Sequence, residues 1–499
     1  MNEKTVWETY DETQKQEMEA TCRWYMDCLD QAKTEREAAR LSVKLARQAG
    51  YTDLMDAVKE GRKLQAGDKV YAVYNEKTVI LYHIGTENPE NGMNILCAHI
   101  DSPRLDVKQN PLYEAEGFAY LDTHYYGGIK KYQWVTIPLA IHGVVAQKDG
   151  RIIEVNIGEA DTDPVFTITD VLPHLGGAQM EKKASVVIEG EKLDLLIGSR
   201  PAVKADDAVK ASDTADANDN GKAEEAADAC RAEETADADD AAKQKEGVKA
   251  AILQLLKEKY DMEEDDFLSA ELEIVPAGRA RELGLDRSMI LAYGHDDRIC
   301  AFTSLKAMLE MEDVPARTAC CILVDKEEIG SCGASGMQSR YFENMTAEVL
   351  TLCGLTSSLS VRRCLQNSKM LSSDVNAAYD PLYADVYEKK NAAFFGKGLV
   401  FSKYTGSRGK SGSNDANAEY MAQLRKVFDD NQAAYQTAEL GRVDVGGGGT
   451  IAWIAAVYGM EVIDSGVALL CMHAPMEVAS KADVYEAVKG YKAFLKDMK

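Results

Sequence analysis

Two pairs of neighbouring acids stand where they could hold a divalent metal ion. Asp296 and Asp297 open an apolar helix pattern, and Glu327 and Glu328 follow the strand-like run 320–324. Neighbouring carboxylates at the end of a buried element repel each other and lose hydration. A cation removes both costs, and carboxylate oxygens and imidazole nitrogens are suitable ligands for it. One such pair is typical of a solvated acidic turn, but two pairs with histidines in matching positions predict a metal site.

The candidate ligands occur at the ends of predicted strands or in the loops that follow them. They are two histidines and three acids, namely His99, Asp296, Glu328, Asp374 and His473. The C-terminal ends of strands meet at one edge of an open α/β sheet, so residues far apart in the sequence can lie together there. Such a set suits two metal ions about 3.5–4 Å apart that share one acid.

Two further acids complete the predicted chemistry. Of Glu327 and Glu328, one can bind metal while the other acts as general base on water, because neighbouring side chains of an extended chain point in opposite directions. Asp101, two residues after His99, is placed to accept the other N–H of the imidazole and so fix its tautomer. Mixed imidazole and carboxylate ligands fit zinc, cobalt or manganese.

The elements that must position these residues predict an α/β protein with an insertion. The run 93–101 is mostly apolar, as in strands that are buried on both faces of a sheet. Short β-like runs separated by glycines fill residues 108–200. We therefore predict a catalytic domain over 1–107 and 281–499, in which helices flank a central mixed sheet, and an inserted β-rich domain over 108–280.

Hydrophobic periodicity and turn residues give the individual elements. Helices are expected within 11–50 (two, split near 30–34), at 247–259, after Asp297, at 415–428, at 450–456 and at the C-terminus. Strands are expected at 70–74, 78–82, 93–101, 135–142, 152–156, 166–169, 270–275, 319–324, 370–374 and 467–471.

Residues 201–247 form an acidic low-complexity segment. Alanine, aspartate, glutamate and lysine dominate it, and no aromatic residue occurs between Lys204 and Gly247. Such a stretch cannot bury enough apolar surface to offset the entropy of ordering it. We predict a disordered loop there, with a solvated alanine-rich helix as the alternative.

The composition excludes several classes of partner. The formal net charge of -25 argues against nucleic acid or an anionic membrane as the main partner. No stretch approaches the ~20 apolar residues needed to span a bilayer, and residues 1–10 lack the basic and apolar regions of a signal peptide. The 11 cysteines include no Cys-x-x-Cys pair. Five of them, Cys97, Cys320, Cys321, Cys353 and Cys471, sit in apolar runs, which predicts buried, reduced thiols and a cytoplasmic protein.

Taken together, the motifs resemble those of the aspartyl aminopeptidase family of dinuclear zinc peptidases, in a bacterial-type form. In chain order they are AHIDSPR at 98–104, GHDDR at 294–298, DKEEIG at 325–330, SSD at 372–374 and MHAPME at 472–477. The resemblance covers most of the chain apart from 201–247. It implies removal of N-terminal amino acids from peptides, with two divalent ions as cofactors and zinc as the first expectation.

The resemblance also implies a role for each site residue. Asp296 would bridge the two ions, with His99 and Asp374 completing one site and Glu328 and His473 the other. Glu327 would be the general base.

Three structural features are implied as well. The peptide bond between Asp296 and Asp297 would be cis. The inserted domain would form the contact of a dimer, and dimers would assemble into a dodecamer. His174, in the loop Leu172–Leu175, would reach the site of a neighbouring subunit; a plain surface-loop position is the alternative.

The chain departs from acidic-specific members of that family. The segment after Asp374, Val375–Pro381, lacks histidines that those members carry, and their basic recognition residue falls near Ser402, beside Lys397 and Lys403. The sequence therefore leaves acidic, neutral and basic N-terminal residues open as substrates.

Two other functions compete with the aminopeptidase. A two-metal amidase or deacylase acting on small N-acyl substrates would use the same residues. A non-catalytic scaffold is the third alternative, and the complete set of ligands and base argues against it.

Overall fold

The structure, a computed structural model, describes residues 5–202, 247–406, 409–448 and 451–499, so nearly all of the predicted acidic loop lies outside the described residues. The chain divides into two compact units. Unit 1 comprises Met1–Arg104, Tyr126–Gln133 and Val275–Lys499, and unit 2 comprises Leu105–Tyr125 and Trp134–Ile274. No pattern in the sequence indicated that 126–133 groups with the first unit.

The secondary structure alternates between helices and strands in unit 1 and is rich in strands in unit 2. The helices are α1 (Glu12–Gln31), α2 (Glu35–Gln48), α3 (Leu54–Glu60), α4 (Gly177–Met180), α5 (Ala184–Val187), α6 (Gly247–Tyr260), α7 (His295–Leu309), α8 (Tyr341–Leu352), α9 (Ser358–Gln366), α10 (Ala418–Asp430), α11 (Ala452–Ala456) and α12 (Lys481–Asp497). The strands are β1 (Thr52–Asp53), β2 (Lys69–Tyr74), β3 (Thr78–His83), β4 (Met93–His99), β5 (Arg104–Ala115), β6 (Phe118–Tyr126), β7 (Leu139–Ala146), β8 (Ile152–Ile157), β9 (Leu195–Gly198), β10 (Ala270–Pro276), β11 (Arg281–Leu283), β12 (Met289–Ala292), β13 (Thr318–Val324), β14 (Lys369–Ser373), β15 (Asn376–Ala377), β16 (Leu399–Ser402), β17 (Tyr435–Thr437), β18 (Glu461–Gly466), β19 (Ala468–Leu470) and β20 (Glu477–Ser480).

Unit 1 is built on a nine-stranded mixed sheet with the order β1-β2-β3-β13-β4-β14-β18-β16-β17. At its centre β13, β4 and β14 run parallel, whereas β3 and β16 pair antiparallel with their neighbours β13 and β18. The predicted α/β class with a central mixed sheet is therefore confirmed.

Helices cover both faces of this sheet, because successive residues of its central strands face two different apolar cores. In β4, Leu96 and Ala98 belong to a core that includes apolar residues of α7 and α12. Ile95 and Cys97 belong to the other core, with apolar residues of α8, α9 and α11. This double burial explains why the strand is apolar without alternation. It also holds the C-terminal end of β4 in a fixed position.

A second, five-stranded sheet of unit 1 has the order β11-β12-β20-β19-β15. Strands β12 and β19 both pair antiparallel with β20 between them. The segments that follow β12 and β19 carry Asp296 and His473, so this small sheet matters for the site.

Unit 2 contains a six-stranded sheet with the order β8-β7-β10-β5-β6-β9. The long strand β5 was not predicted, because its middle residues are polar and half-buried or exposed and so give no apolar run. The predicted strand at 135–142 is wrong in its first half, since β7 begins at Leu139, and Phe166 and Thr167 make only isolated bridges.

The described helices include none that is long and apolar enough to cross a membrane. Cys97, Cys320 and Cys321 are buried as predicted, whereas Cys471 is exposed and Cys353 is half-buried.

Candidate metal centre

One group of the predicted site residues follows three adjacent parallel strands. His99 ends β4, Asp374 comes directly after β14, and Glu327 and Glu328 come shortly after β13. The register pairs His99 with Val324 and Cys97 with Ser372, so these strands end at the same level. For this group the predicted sheet edge is correct.

Asp296 and His473 reach the site from the five-stranded sheet instead. Asp296 stands at the start of α7, shortly after β12, and His473 stands shortly after β19. The expectation that all five residues follow strands of one sheet is therefore wrong for these two. Sequence patterns identify a strand but do not say which sheet it joins. The expected cis peptide bond between Asp296 and Asp297 is present.

Glu327 and Glu328 lie in a short 3-10 turn, Glu327–Ile329, and not in the extended chain that was predicted. Lys326, just before the turn, has a left-handed backbone with φ 71°, which bends the chain out of the strand direction. The two side chains still diverge. Glu327 Oε2 lies 3.9 Å from Nε2 of His99, and Glu328 Oε1 lies 3.9 Å from Nε2 of His473.

The carboxylate of Asp296 stands between the two histidines. Its Oδ1 lies 3.3 Å from Nε2 of His99, and its Oδ2 lies 3.1 Å from Nε2 of His473. Asp374 Oδ1 lies 3.7 Å from the same Nε2 of His99. Ligand atoms of His99, Asp296 and Glu328 lie within 4.8 Å of one another, as do those of His99, Glu327 and Asp374. The structure thus brings all six predicted side chains into one cluster.

Each histidine presents Nε2 to this cluster because its Nδ1 faces a backbone carbonyl. Nδ1 of His99 lies 3.0 Å from the carbonyl oxygen of Asp101, and Nδ1 of His473 lies 2.8 Å from that of Gly128. A carbonyl oxygen can only accept, so Nδ1 carries the hydrogen and Nε2 can offer a lone pair to a metal. Asp101 was expected to accept through its side chain, but Oδ1 is the more distant partner at 3.3 Å.

The buried Asp101 carboxylate holds the glutamate turn instead. It accepts hydrogen bonds from the backbone N–H groups of Glu327 and Glu328, each at 3.2 Å, and from the Tyr126 hydroxyl at 2.8 Å. Asp101 therefore links the loop after β4 to the turn after β13.

The charges of the cluster favour a cation at its centre. Burial, together with repulsion from Asp374, raises the pKa of Glu327 to about 8. Burial and the charge of Asp296 also raise the pKa of Glu328. Burial works against protonation of His473, but the protonated ring can donate its Nε2–H to Asp296, which raises the pKa to about 10. Glu327 and Glu328 lose their protons with difficulty, whereas His473 holds a proton readily. Both shifts show that the cluster favours positive charge, which a divalent ion supplies.

Several residues that hold the cluster were not singled out in the sequence. Glu477 accepts from the backbone N–H groups of Asp296 and His473, Ser102 donates to the carbonyl of Asp296, and Tyr126 donates to Asp101. Glu477 had a signal, since it ends the motif that begins before His473. Ser102 likewise lies within the motif at 98–104, whereas Tyr126, whose hydroxyl donates to the Asp101 side chain, lies in no motif and gave no signal.

His174 is not among the residues of this cluster. It is exposed on a turn of unit 2 in which Leu175 N–H donates to the carbonyl of Leu172. Its role stays a prediction.

A cavity of about 1080 Å³ in unit 1 opens onto the cluster. Asp296, Glu327, Glu328, Asp374 and His473 line one part of it. Apolar and aromatic side chains, among them Tyr383, Leu440, Trp453 and Leu469, line another. Acids that could bind metal thus share a cavity with a surface that could contact an organic substrate.

Comparisons with known proteins identify the family of this chain. The family model of aminopeptidase I zinc metalloprotease (M18) matches residues 28–495. A probable M18 family aminopeptidase 1 from Clostridium acetobutylicum is 53% identical over 492 residues, which are 99% of this chain and 98% of the relative.

Solved structures give the same result. A crystal structure of an M18-family aminopeptidase from Thermotoga maritima has a TM-score of 0.87 at 40% identity and covers 99% of both chains. A crystal structure of aminopeptidase I from Clostridium acetobutylicum has a TM-score of 0.85 at 52% identity, again over 99% of both chains. The similarity favours the aminopeptidase over the amidase and scaffold alternatives. This chain belongs to the M18 family of aminopeptidase I zinc metalloproteases and is a metal-dependent aminopeptidase.

Proposed function

We propose that this aminopeptidase binds two divalent metal ions, natively zinc, in the cluster of unit 1. The observation that carries the proposal is the carboxylate of Asp296, whose two oxygens face two different histidines. The residues fit such ions. Among the described residues, buried Asp296 Oδ1 and Glu328 Oε1 accept no hydrogen bond. Carboxylate oxygen and imidazole nitrogen are suitable ligands for zinc.

The distances support a division of the ligands into two sets. His99 and Asp374 stand with Oδ1 of Asp296, whereas His473 stands with Oδ2 of Asp296 and with Glu328. Asp296 would belong to both sets.

Glu327 is the general base of the proposed reaction. When bound, the ions act as Lewis acids that polarise the scissile carbonyl group and make water a nucleophile near neutral pH. Glu327 lines the cavity, and its Oε2 is 3.9 Å from Nε2 of His99, so its carboxylate can take a proton from the attacking water. The same carboxyl group then returns the proton to the departing amine. The Asp101 carboxylate keeps Glu327 in place by accepting a hydrogen bond from the backbone N–H of Glu327.

The substrates are peptides with a free N-terminus, and the preferred N-terminal residue stays open. A direct test compares Xaa-p-nitroanilides that carry acidic, neutral and basic residues, each with zinc, cobalt and manganese added to chelator-treated protein. The proposal expects hydrolysis that depends on the metal and is lost when the amine is acetylated. Faster hydrolysis of the acetylated compounds would instead identify the amidase or deacylase. Protein that binds no metal at neutral pH and hydrolyses none of them would support the scaffold.

We propose further that the protein is a homo-oligomer in which unit 2 forms dimer contacts and dimers assemble into a dodecamer. Unit 2 exposes apolar side chains, with Leu175 at 74% and Met180 at 77% exposure. A yeast mApe1 structure with the same fold, at a TM-score of 0.71 and 18% identity, is a dodecamer. Light scattering should give a multimer for the wild type and smaller species for the Leu175→Glu, Met180→Glu double variant. A monomeric wild type would contradict the proposal.

The cytoplasmic location stays a prediction from the sequence.

A further inference from the structure

Glu477 begins β20 and lies behind the proposed metal cluster. Its side chain is buried, with 1% exposure, and it pairs across the small sheet with Ala292, the last residue of β12. The residues that follow β12 lead to Asp296, and those that precede β20 contain His473. Glu477 therefore stands where the two segments that carry these residues come together.

Both carboxylate oxygens of Glu477 accept backbone hydrogen bonds. Oε2 accepts from the N–H of Asp296 at 3.0 Å, and Oε1 accepts from the N–H of His473 at 2.7 Å. One side chain thus connects the backbones of two residues whose own side chains meet at 3.1 Å. Two hydrogen bonds from backbone N–H groups to one buried side chain couple the positions of those two groups.

The backbone at both ends of this connection is not in a regular conformation. His473 has a left-handed φ of 64° and Cys471 one of 60°, a backbone conformation that residues other than glycine rarely adopt. Asp296 has ψ 106°, outside the helical range of the helix that it helps to start. The left-handed conformations of Cys471 and His473 persist only where neighbouring groups hold them. The Glu477 carboxylate accepts the N–H of His473 as well as that of Asp296, and so it holds both ends of the connection.

We infer that Glu477 is a positioning residue, which sets the spacing of Asp296 and His473 and so the affinity of the metal site to which His473 contributes. It does not touch the metal ligand atoms. It acts through the two backbone N–H groups. The inference rests on the proposed two-metal function.

Glu477→Gln tests this, with Glu486→Gln as the matched control. Gln keeps the length of the side chain, but it replaces one acceptor oxygen with an NH2 group that would face a backbone N–H. Glu486 is also 1% exposed and accepts a backbone hydrogen bond, from Ala434 at 2.7 Å, together with hydrogen bonds from Tyr10 and Lys489. It contacts none of the proposed ligands, so Glu486→Gln shows what the loss of buried polar contacts does to folding without a change at the metal site.

The measurement is zinc retained after dialysis against a weak chelator, with the affinity for the second equivalent obtained by chelator competition. The wild type and Glu486→Gln should retain two equivalents. Glu477→Gln should retain one, with the second equivalent bound about 10–100-fold more weakly. Its kcat should fall at saturating zinc more than its KM rises. Glu477→Asp keeps both acceptor oxygens, and it should recover part of the affinity.

Two results would overturn the inference in different ways. If Glu477→Gln binds both equivalents as tightly as the wild type while its unfolding midpoint falls as in Glu486→Gln, Glu477 is a structural residue only. If the wild type itself binds fewer than two equivalents, the proposed function fails, and the inference fails with it. Should Glu477→Gln not fold, equal zinc affinity of Glu477→Asp and wild type would overturn the inference as well.

Discussion

Nε2 of His473 lies 3.1 Å from Oδ2 of Asp296, the carboxylate oxygen that does not face His99. One carboxylate is thereby shared by two histidines that are far apart in the sequence. A carboxylate with one oxygen toward each of two nitrogen ligands has the geometry needed to lie between two cations. The proposed reaction depends on this relationship.

Replacing Glu327 with glutamine should remove the base and leave the metal. Proton transfer by a positioned side chain contributes about 10²–10⁴-fold, so kcat for an aminoacyl-p-nitroanilide should fall by about that factor. Zinc content should stay at the wild-type value. Glu343→Gln is the control, because Glu343 pairs with Arg340 at the surface at 2.7 Å. Wild-type turnover of Glu327→Gln would show that another group is the base.

Asp101→Asn and Tyr126→Phe should differ in severity. Asp101→Asn removes one of the acceptor oxygens that hold the N–H groups of Glu327 and Glu328, so metal affinity should fall about 10–100-fold. Tyr126→Phe removes a single hydrogen bond to Asp101, worth about 1 kcal/mol, and should change affinity less than tenfold. Competition with a chromophoric chelator measures both. Equal effects would mean that Asp101 does not act through the glutamate turn.

Gly127→Ala should weaken metal binding, whereas Gly117→Ala should not. Both glycines have a left-handed backbone, with φ 74° and 79°, so alanine costs about 1–2 kcal/mol at either position. A Cβ at Gly127 would meet Oε2 of Glu328 at 3.0 Å, but a Cβ at Gly117 would have no atom within 4 Å. Unfolding midpoints should therefore fall in both, and zinc affinity only in Gly127→Ala. Equal zinc affinity in the two variants would contradict this.

Asp483 should make the protein less stable as the pH rises. Burial raises the pKa of its carboxyl to about 7, although Gly396 and Gly398 donate backbone hydrogen bonds to it. The unfolded-state pKa is about 3.9, so the contribution of Asp483 is full below that pH and is lost as the pH rises through about 7. The carboxamide of the Asp483→Asn variant does not titrate. The advantage of the wild type over this variant in urea midpoint should therefore shrink between about pH 4 and about pH 7. A constant or growing advantage would contradict the assignment.

The sequence predicted those parts of the site that depend on side-chain type. His99 and Asp374 end apolar strands that had to be central and parallel, and Glu327 and Glu328 follow such a strand, so their meeting could be foreseen. Asp296 and His473 were identified by type, but their arrival from the five-stranded sheet depends on pairing of β12 and β19 with β20, which periodicity does not encode.

The structural roles of other residues could not be predicted from a sequence pattern. Strand β5 was missed, because its buried residues, Arg104, Leu105, Pro111 and Leu112, are separated by a mostly polar stretch that is half-buried or exposed. Glu477 accepts hydrogen bonds from two backbone N–H groups, and Gly128 acts through its own carbonyl oxygen, which faces Nδ1 of His473. Every residue has such atoms, so only the fold shows which ones are used.

Zinc content and activity of Asp296→Asn, measured beside the wild type, test the central claim most directly. Protein purified without chelator should contain two equivalents of zinc per wild-type chain and hydrolyse aminoacyl-p-nitroanilides. Asparagine at this position offers one carboxamide oxygen in place of two charged oxygens, so the variant should retain at most one equivalent and lose nearly all activity. A variant that keeps two equivalents and wild-type turnover would contradict the two-metal account.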